Sequence, residues 1–250
     1  RFTFFSTNGT SKSNKIVLQT ILKPGDAILV DRNCHKSVNY GIILAGAEPI
    51  YLAPSINAKY GIFGPVPKKT IVSTMDKALA AGRRLKALIL TNCTYDGLIY
   101  DIADIVRQAH KRGVKVIVDE AWYGYATFHP NFYPSAMDAG ADYATQSTHK
   151  TMSAFSQASM IHVKDPDFED VRDLFMENFQ MHTSTSPQYP MIASLDMARK
   201  QMVMEGYSLL CNCIELSQML KDNINSLEKF KVLELADLIS DEVAKDRIRL

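Results

Sequence analysis

The sequence predicts an α/β protein built on a mostly parallel β-sheet with helices on both faces, on two observations. Short apolar, β-branched runs recur at residues 2–6, 27–31, 49–52, 87–91, 114–118, 143–146 and 158–163. Helical segments separate them, and that alternation is the signature of parallel strands joined by helical crossovers.

Taken in order, the strand at 2–6 leads through Asn8-Gly9-Thr10-Ser11 into a helical run at 15–22. Lys23-Pro24-Gly25-Asp26 is a turn, because proline and glycine cannot continue the helix. After the strand at 27–31, His35 opens a second helix. Residues 101–113 read as a helix with Asp101 as N-cap candidate, apolar residues at helical spacing, a basic last turn and Gly113 as the stop. Residues 135–140 read as another turn. From about Pro187 the pattern becomes helical, at 191–205 and 207–227, and 229–235 reads as the first strand of a further domain. Residues 1–190 are therefore expected to form a large ligand-binding domain, and 191–250 a helical segment with the start of a truncated C-terminal small domain.

Composition narrows the function classes. At 250 residues and 46% hydrophobic, the chain can bury a substantial core. With 28 basic and 27 acidic side chains it has no overall field for nucleic acid or a membrane. No apolar run approaches the ~18 residues of a membrane span, and the first residues lack a secretory layout, so a cytoplasmic location is expected. Cys34, Cys93, Cys211 and Cys213 show neither zinc-ligand spacing nor disulfide density and read as reduced thiols. The start at Arg1 and the end at Leu250 read as those of a piece of a longer protein.

The chemistry is concentrated at the ends of strands, where open parallel sheets bind ligands. Ser147-Thr148-His149-Lys150 follows one strand and Asp119 closes another. An aldehyde cofactor of the pyridoxal 5'-phosphate (PLP) type needs such a set. A lysine amine holds it covalently, hydroxyls take its phosphate, and a carboxylate keeps its ring nitrogen protonated. Lys150, Ser147 and Asp119 supply these groups. Asn8-Gly9-Thr10-Ser11, before a helix, could serve an anion or be an ordinary N-cap. It lacks both the lysine spacing of a P-loop and the three glycines of a dinucleotide fingerprint.

The segment from Ser147 to Ser159, Ser-Thr-His-Lys-Thr-Met-Ser-Ala-Phe-Ser-Gln-Ala-Ser, resembles the PLP attachment segment of the bacterial ornithine/lysine/arginine decarboxylases, a branch of the aspartate-aminotransferase-like enzymes. Asn8-Gly9-Thr10-Ser11, Asp31-Arg32-Asn33-Cys34-His35-Lys36-Ser37 and Thr94-Tyr95-Asp96-Gly97 match the same family in the same order. The resemblance implies that Lys150 carries PLP and that Thr10, Ser11, Ser147 and His149 bind its phosphate. It implies further that His35 stacks on one face of the ring, Ala121 packs on the other, Asp119 meets the ring nitrogen and Trp122 lies beside the cofactor. His182-Thr183-Ser184-Thr185-Ser186-Pro187 resembles the loop that reaches the neighbouring subunit's cofactor, which makes Ser184 and Thr185 donors across a homodimer. Lys150, His35 and Asp119 are then the catalytic set, and the substrate is a basic amino acid: arginine, lysine or ornithine. Family members also continue into a smaller C-terminal domain. The competing expectations are an aminotransferase or lyase of the same fold, and a catalytically incompetent PLP-fold subunit with an assembly or regulatory role.

Overall fold

Seven strands lie side by side in a single sheet in the computed structural model, which describes residues 1–186 and 188–238. The chain runs β1 (Phe2–Ser6), α1 (Thr10–Ile21), β2 (Ala27–Asp31), α2 (Lys36–Ala45) and β3 (Glu48–Leu52). A small hairpin, β4 (Ile56–Asn57) and β5 (Ile62–Phe63), precedes α3 (Lys68–Ala80), β6 (Leu85–Thr91), α4 (Ile102–His110) and β7 (Lys115–Asp119). A 3-10 turn at Ala126–Phe128 leads to α5 (Ala136–Ala139), β8 (Tyr143–Gln146), α6 (Thr148–Thr151) and β9 (Ser159–Val163). The helices α7 (Phe168–His182), α8 (Tyr189–Asn225) and α9 (Leu235–Leu238) follow.

Strand order is β1-β9-β8-β7-β6-β2-β3. The pairs from β8 through β7, β6 and β2 to β3 are parallel, whereas β9 runs antiparallel to both β8 and β1. All seven strands expected from the sequence are thus present, with ends moved by one or two residues at four of them.

Period two along the strands sorts side chains to two covered faces. Ala27 and Leu29, Leu88 and Leu90, and Val116 and Val118 pack under α3, α4 and α5. Their neighbours Ile28 and Val30, Ala87 and Ile89, and Ile117 pack under α1, α2 and α7. Each fully buried aliphatic side chain contributes about 1.5–3 kcal/mol, so the central positions of β2, β6 and β7 are apolar on both faces. The alternation continues past the apolar run. Asp119 extends the α1 side of β7 and Glu120 the α5 side, as Thr145 and Gln146 do on β8.

Helix α1 crosses α2 closely. A Cβ built at Gly41 of α2 would lie 2.6 Å from Leu18 Cδ1 and 3.3 Å from Lys15 Cα. Phe4 meets Phe175 of α7 at 4.6 Å between ring centroids, which seats α7 beside α1.

Three expectations for the helical parts are corrected. The two helices expected at 191–205 and 207–227 are one helix, α8, of 37 residues. Gly206 lies inside it not as a break but as a close approach, since a Cβ there would sit 3.3 Å from Phe128 Cβ. Residues 229–234 form no strand, and Leu235–Leu238 is a helical turn. Asp101 stands at the N-cap position of α4 without a side-chain cap hydrogen bond. Pro187 and residues 239–250 lie outside the described residues, and with them the last part of the segment expected to begin a small domain.

Gly41→Val should lower stability by about 1–3 kcal/mol, because backbone of α1 stands in the way of the new side chain. Equilibrium urea unfolding measures it; an unchanged midpoint would contradict the α1–α2 packing.

Candidate functional site

At the carboxyl edge of the sheet, a cavity of about 280 Å³ is lined by Asn8, Gly9, Thr10, Ser11, Asn14, His35, Asp119, Ala121, Ser147, His149, Lys150 and Gln157. Four strand ends converge on it: β1 through the start of α1, β2 through the start of α2, β7 through Asp119, and β8 through α6. Eight of the eleven residues singled out from sequence are among its walls. Its volume lies just under the ~300–1,000 Å³ usual for small-molecule sites.

One end of the cavity is built for an anion. Helix α1 starts after Gly9, which has φ 77° and makes no side-chain cap, so no side chain competes for the first amides of the helix. Thr10 Oγ1 accepts a hydrogen bond from Ser147 Oγ at 2.7 Å, joining the starts of α1 and α6. His149 Nδ1 donates to the Ala158 carbonyl at 2.9 Å, so Nε2 is the ring nitrogen left for a ligand. Gln157 has φ 72°, the one positive value at a non-glycine among the described residues, and its carbonyl accepts from Gly9 N–H at 2.8 Å. A backbone held in that sparsely populated region belongs where surrounding structure over-determines it.

The other end carries a carboxylate. Asp119 is 2% exposed and accepts from Asn14 Nδ2 at 2.9 Å and from the Ala121 N–H at 3.0 Å. Burial pushes its pKa above the usual carboxylate range, while those two donors, His35 and Lys150 pull it back. Asn14 also donates to Ser37 Oγ at 3.0 Å and accepts from Thr145 Oγ1 at 2.7 Å. His35 is the N-cap of α2, and its Nδ1 accepts from Ser37 N–H at 3.2 Å and contacts Ser37 Oγ at 2.8 Å. Nδ1 is therefore unprotonated in the neutral ring, and the proton sits on Nε2.

Lys150 stands on α6 with Nζ 4.6 Å from the centroid of the Trp122 ring. Trp122 meets Tyr95 edge-on at 5.9 Å, and both rings are exposed. Trp122 thus stands beside the cavity through Lys150 rather than in its wall. Ser184 and Thr185 are exposed and outside the wall; Ser184 N–H donates to Asn8 Oδ1 at 3.3 Å. Asn14 and Gln157 were not singled out from the sequence as site residues. The available signal for Asn14 was its place one helical turn after Thr10, in line with the apolar Val17 and Leu18.

Glu120 turns to the opposite face, where it accepts from Ala136 N–H and, at 2.8 Å, from Gln146 Nε2. Burial pushes its pKa up to about 7. The four other histidines stand outside the cavity wall: His110 pairs with Asp142, His129 stacks on Tyr207, His162 bonds to Thr3 and Gln146, and His182 meets Gln19. All four cysteines are free. Burial raises the Cys34 thiol to about 12 and Cys93 to about 11, so neither is a ready nucleophile.

A family model described as Orn/Lys/Arg decarboxylase, major domain, matches residues 1–246. The chain belongs to the Orn/Lys/Arg decarboxylase family. It is 47% identical over 219 residues to lysine decarboxylase LdcA of Pseudomonas aeruginosa, which covers 80% of this chain and 29% of that protein. It is 39% identical over 228 residues to an arginine decarboxylase of Bacillus cereus, covering 90% of this chain and 48% of the relative. Among solved structures, the lysine decarboxylase LdcF of Francisella novicida superposes with TM-score 0.78 at 40% identity, over 91% of this chain and 32% of that one. The chain therefore spans less than half the length of these Orn/Lys/Arg decarboxylase relatives. No helix among the described residues is long and apolar enough to cross a membrane.

The Glu120 carboxyl generates a pH prediction. Its folded pKa of about 7 lies above the ordinary 4.5, so the folded form holds the proton more tightly. The resulting stabilisation is complete below pH 4.5 and is lost as pH rises through about 7. In Glu120→Gln the melting temperature should fall less across that window than in the parent; parallel curves would contradict the buried carboxyl.

Proposed function

We propose that this chain is the cofactor-binding part of a PLP-dependent carboxy-lyase that releases CO2 from arginine, lysine or ornithine. One observation carries the reading: an amine, a buried carboxylate, an imidazole and a hydroxyl-lined helix N-terminus face one cavity of about 280 Å³. The residues fit the group at both ends. The uncapped start of α1, with open space around Gly9, suits a phosphate, and a carboxylate raised by burial calls for a cationic partner.

Thr10 and Ser11 with the α1 amides, Ser147 Oγ and His149 Nε2 would hold the phosphate. Lys150 Nζ would form the covalent link, leaving its place over Trp122. Asp119, ionised, would hold a proton on the ring nitrogen, because each charge offsets the other's loss of water. His35, with its Nδ1 tied to Ser37, and Ala121 would confine the ring from its two faces and so align the bond to be broken. When bound, PLP supplies an electron-withdrawing ring that takes up the pair left on Cα as CO2 departs. Lys150 Nζ then holds the proton that the product needs at Cα, being the amine of the cavity wall. We assign Ser184 and Thr185 to the neighbouring subunit's cofactor in a homodimer.

Borohydride reduction after addition of PLP, followed by peptide mapping, should place one adduct on Lys150. The Lys150→Ala chain should give none, and a persisting adduct would overturn the assignment. In the protein that shows turnover, CO2 should be released from one of the three amino acids without keto-acid formation; a keto acid instead would make it an aminotransferase. Asp119→Asn should lower that release by about 10²–10³-fold, since an electrostatic partner of the developing charge is lost.

A further inference from the structure

We propose that Asn14 is a positioning residue of this site: its amide orients and charges the Asp119 carboxylate and ties that carboxylate to the His35 ring. The inference deepens the reading above, and only its catalytic meaning rests on that reading.

Asn14 is 1% exposed, so every polar valence of its amide must be met inside the protein. Its two Nδ2 hydrogens go to Asp119 Oδ2 at 2.9 Å and Ser37 Oγ at 3.0 Å, and its Oδ1 accepts from Thr145 Oγ1 at 2.7 Å. The opposite amide orientation would set oxygen against the carboxylate and leave the Thr145 hydroxyl facing a donor, so the three partners define one orientation. Ser37 passes the direction on. Its N–H donates to His35 Nδ1, which is therefore the acceptor for the Ser37 hydroxyl as well, leaving the Ser37 oxygen to accept from Asn14. Hydrogen bonds thus run from Asn14 through Ser37 to His35, and from Asn14 to Asp119.

Thr10 and Asn14 are one turn apart on the buried face of α1. The same helix turn therefore presents the anion-binding hydroxyl and the amide that sets the carboxylate, so the spacing between the two ends of the cavity is that of α1 itself. The other groups that act on Asp119 are His35 at the start of α2, Lys150 on α6 and the Ala121 backbone N–H, with Cys34 and Glu120 close by. Of its two hydrogen-bond donors, only Asn14 is a side chain, and hence it is the one mutation can remove.

Infrared difference spectra of the chain without added cofactor can follow the protonated-carboxyl stretch against pH, with Asp119→Asn subtracted to isolate the residue. In Asn14→Ala the Asp119 midpoint should rise, because a donor to the ionised form is gone. It should also rise in the isosteric Asn14→Asp, where two carboxyls must share a proton, and this variant decides the matter if Asn14→Ala fails to fold. PLP should bind at least about tenfold more weakly to both. A merely structural asparagine would lower the melting temperature and leave the Asp119 midpoint where it is, and that result would overturn the proposal. A parent chain that takes no PLP would refute the functional reading, while the infrared titration would still decide the role of Asn14.

Discussion

The site depends on burying the Asp119 carboxylate at the end of β7. A carboxylate taken out of water without partners costs several kcal/mol or changes protonation state, and here the raised pKa shows that burial outweighs the compensation. Two N–H donors, the His35 imidazole and the Lys150 amine limit the penalty without removing it. What remains is a standing demand for positive charge at one end of the cavity. Opposite it, the α1 N-terminus demands negative charge. A ligand with a cationic ring nitrogen and a phosphate would meet both demands at once, which is the physical support for the proposed cofactor.

Sheet geometry makes the arrangement possible. Because side chains alternate, the consecutive acids Asp119 and Glu120 go to opposite faces and do not share a proton. Asp119 joins Thr145 and α1, and Glu120 joins Gln146 and α5. A slip of one residue in β7 would exchange them. The ladders from β6 to β8, with Thr91 opposite Asp119 and Asp119 opposite Thr145, guard against that slip. Gly41 contributes at a distance: it lets α2, which carries His35, approach α1, which carries Thr10 and Asn14.

Much of this was legible in the residues because the relevant signals are local. Apolar runs bounded by turns mark all seven strands of the sheet, and strand ends followed by hydroxyls, His35 or Lys150 mark the cavity wall. The attachment segment from Ser147 to Ser159 pointed to the family. Long-range pairings were not legible. Asn14 acts through partners 23, 105 and 131 residues away; its place on the apolar face of α1 signals burial, but no local pattern names those partners. Gly206 separates the two helices expected at 191–205 and 207–227 because helix propensity penalises glycine, whereas α8 runs through it and packs it closely on Phe128. The run 229–235 looked like a strand from its apolar residues alone, with no neighbour to pair with among the described residues. Ser184 and Thr185 are exposed and stand outside the cavity wall.

The central claim, that Asp119 is buried to keep a ring nitrogen protonated, is tested most directly by the 15N chemical shift of PLP labelled at its ring nitrogen and bound to this chain. A shift in the pyridinium range near neutral pH is expected, moving towards neutral pyridine in Asp119→Asn. A neutral-pyridine shift in the parent chain, or one that the substitution leaves unchanged, would contradict it.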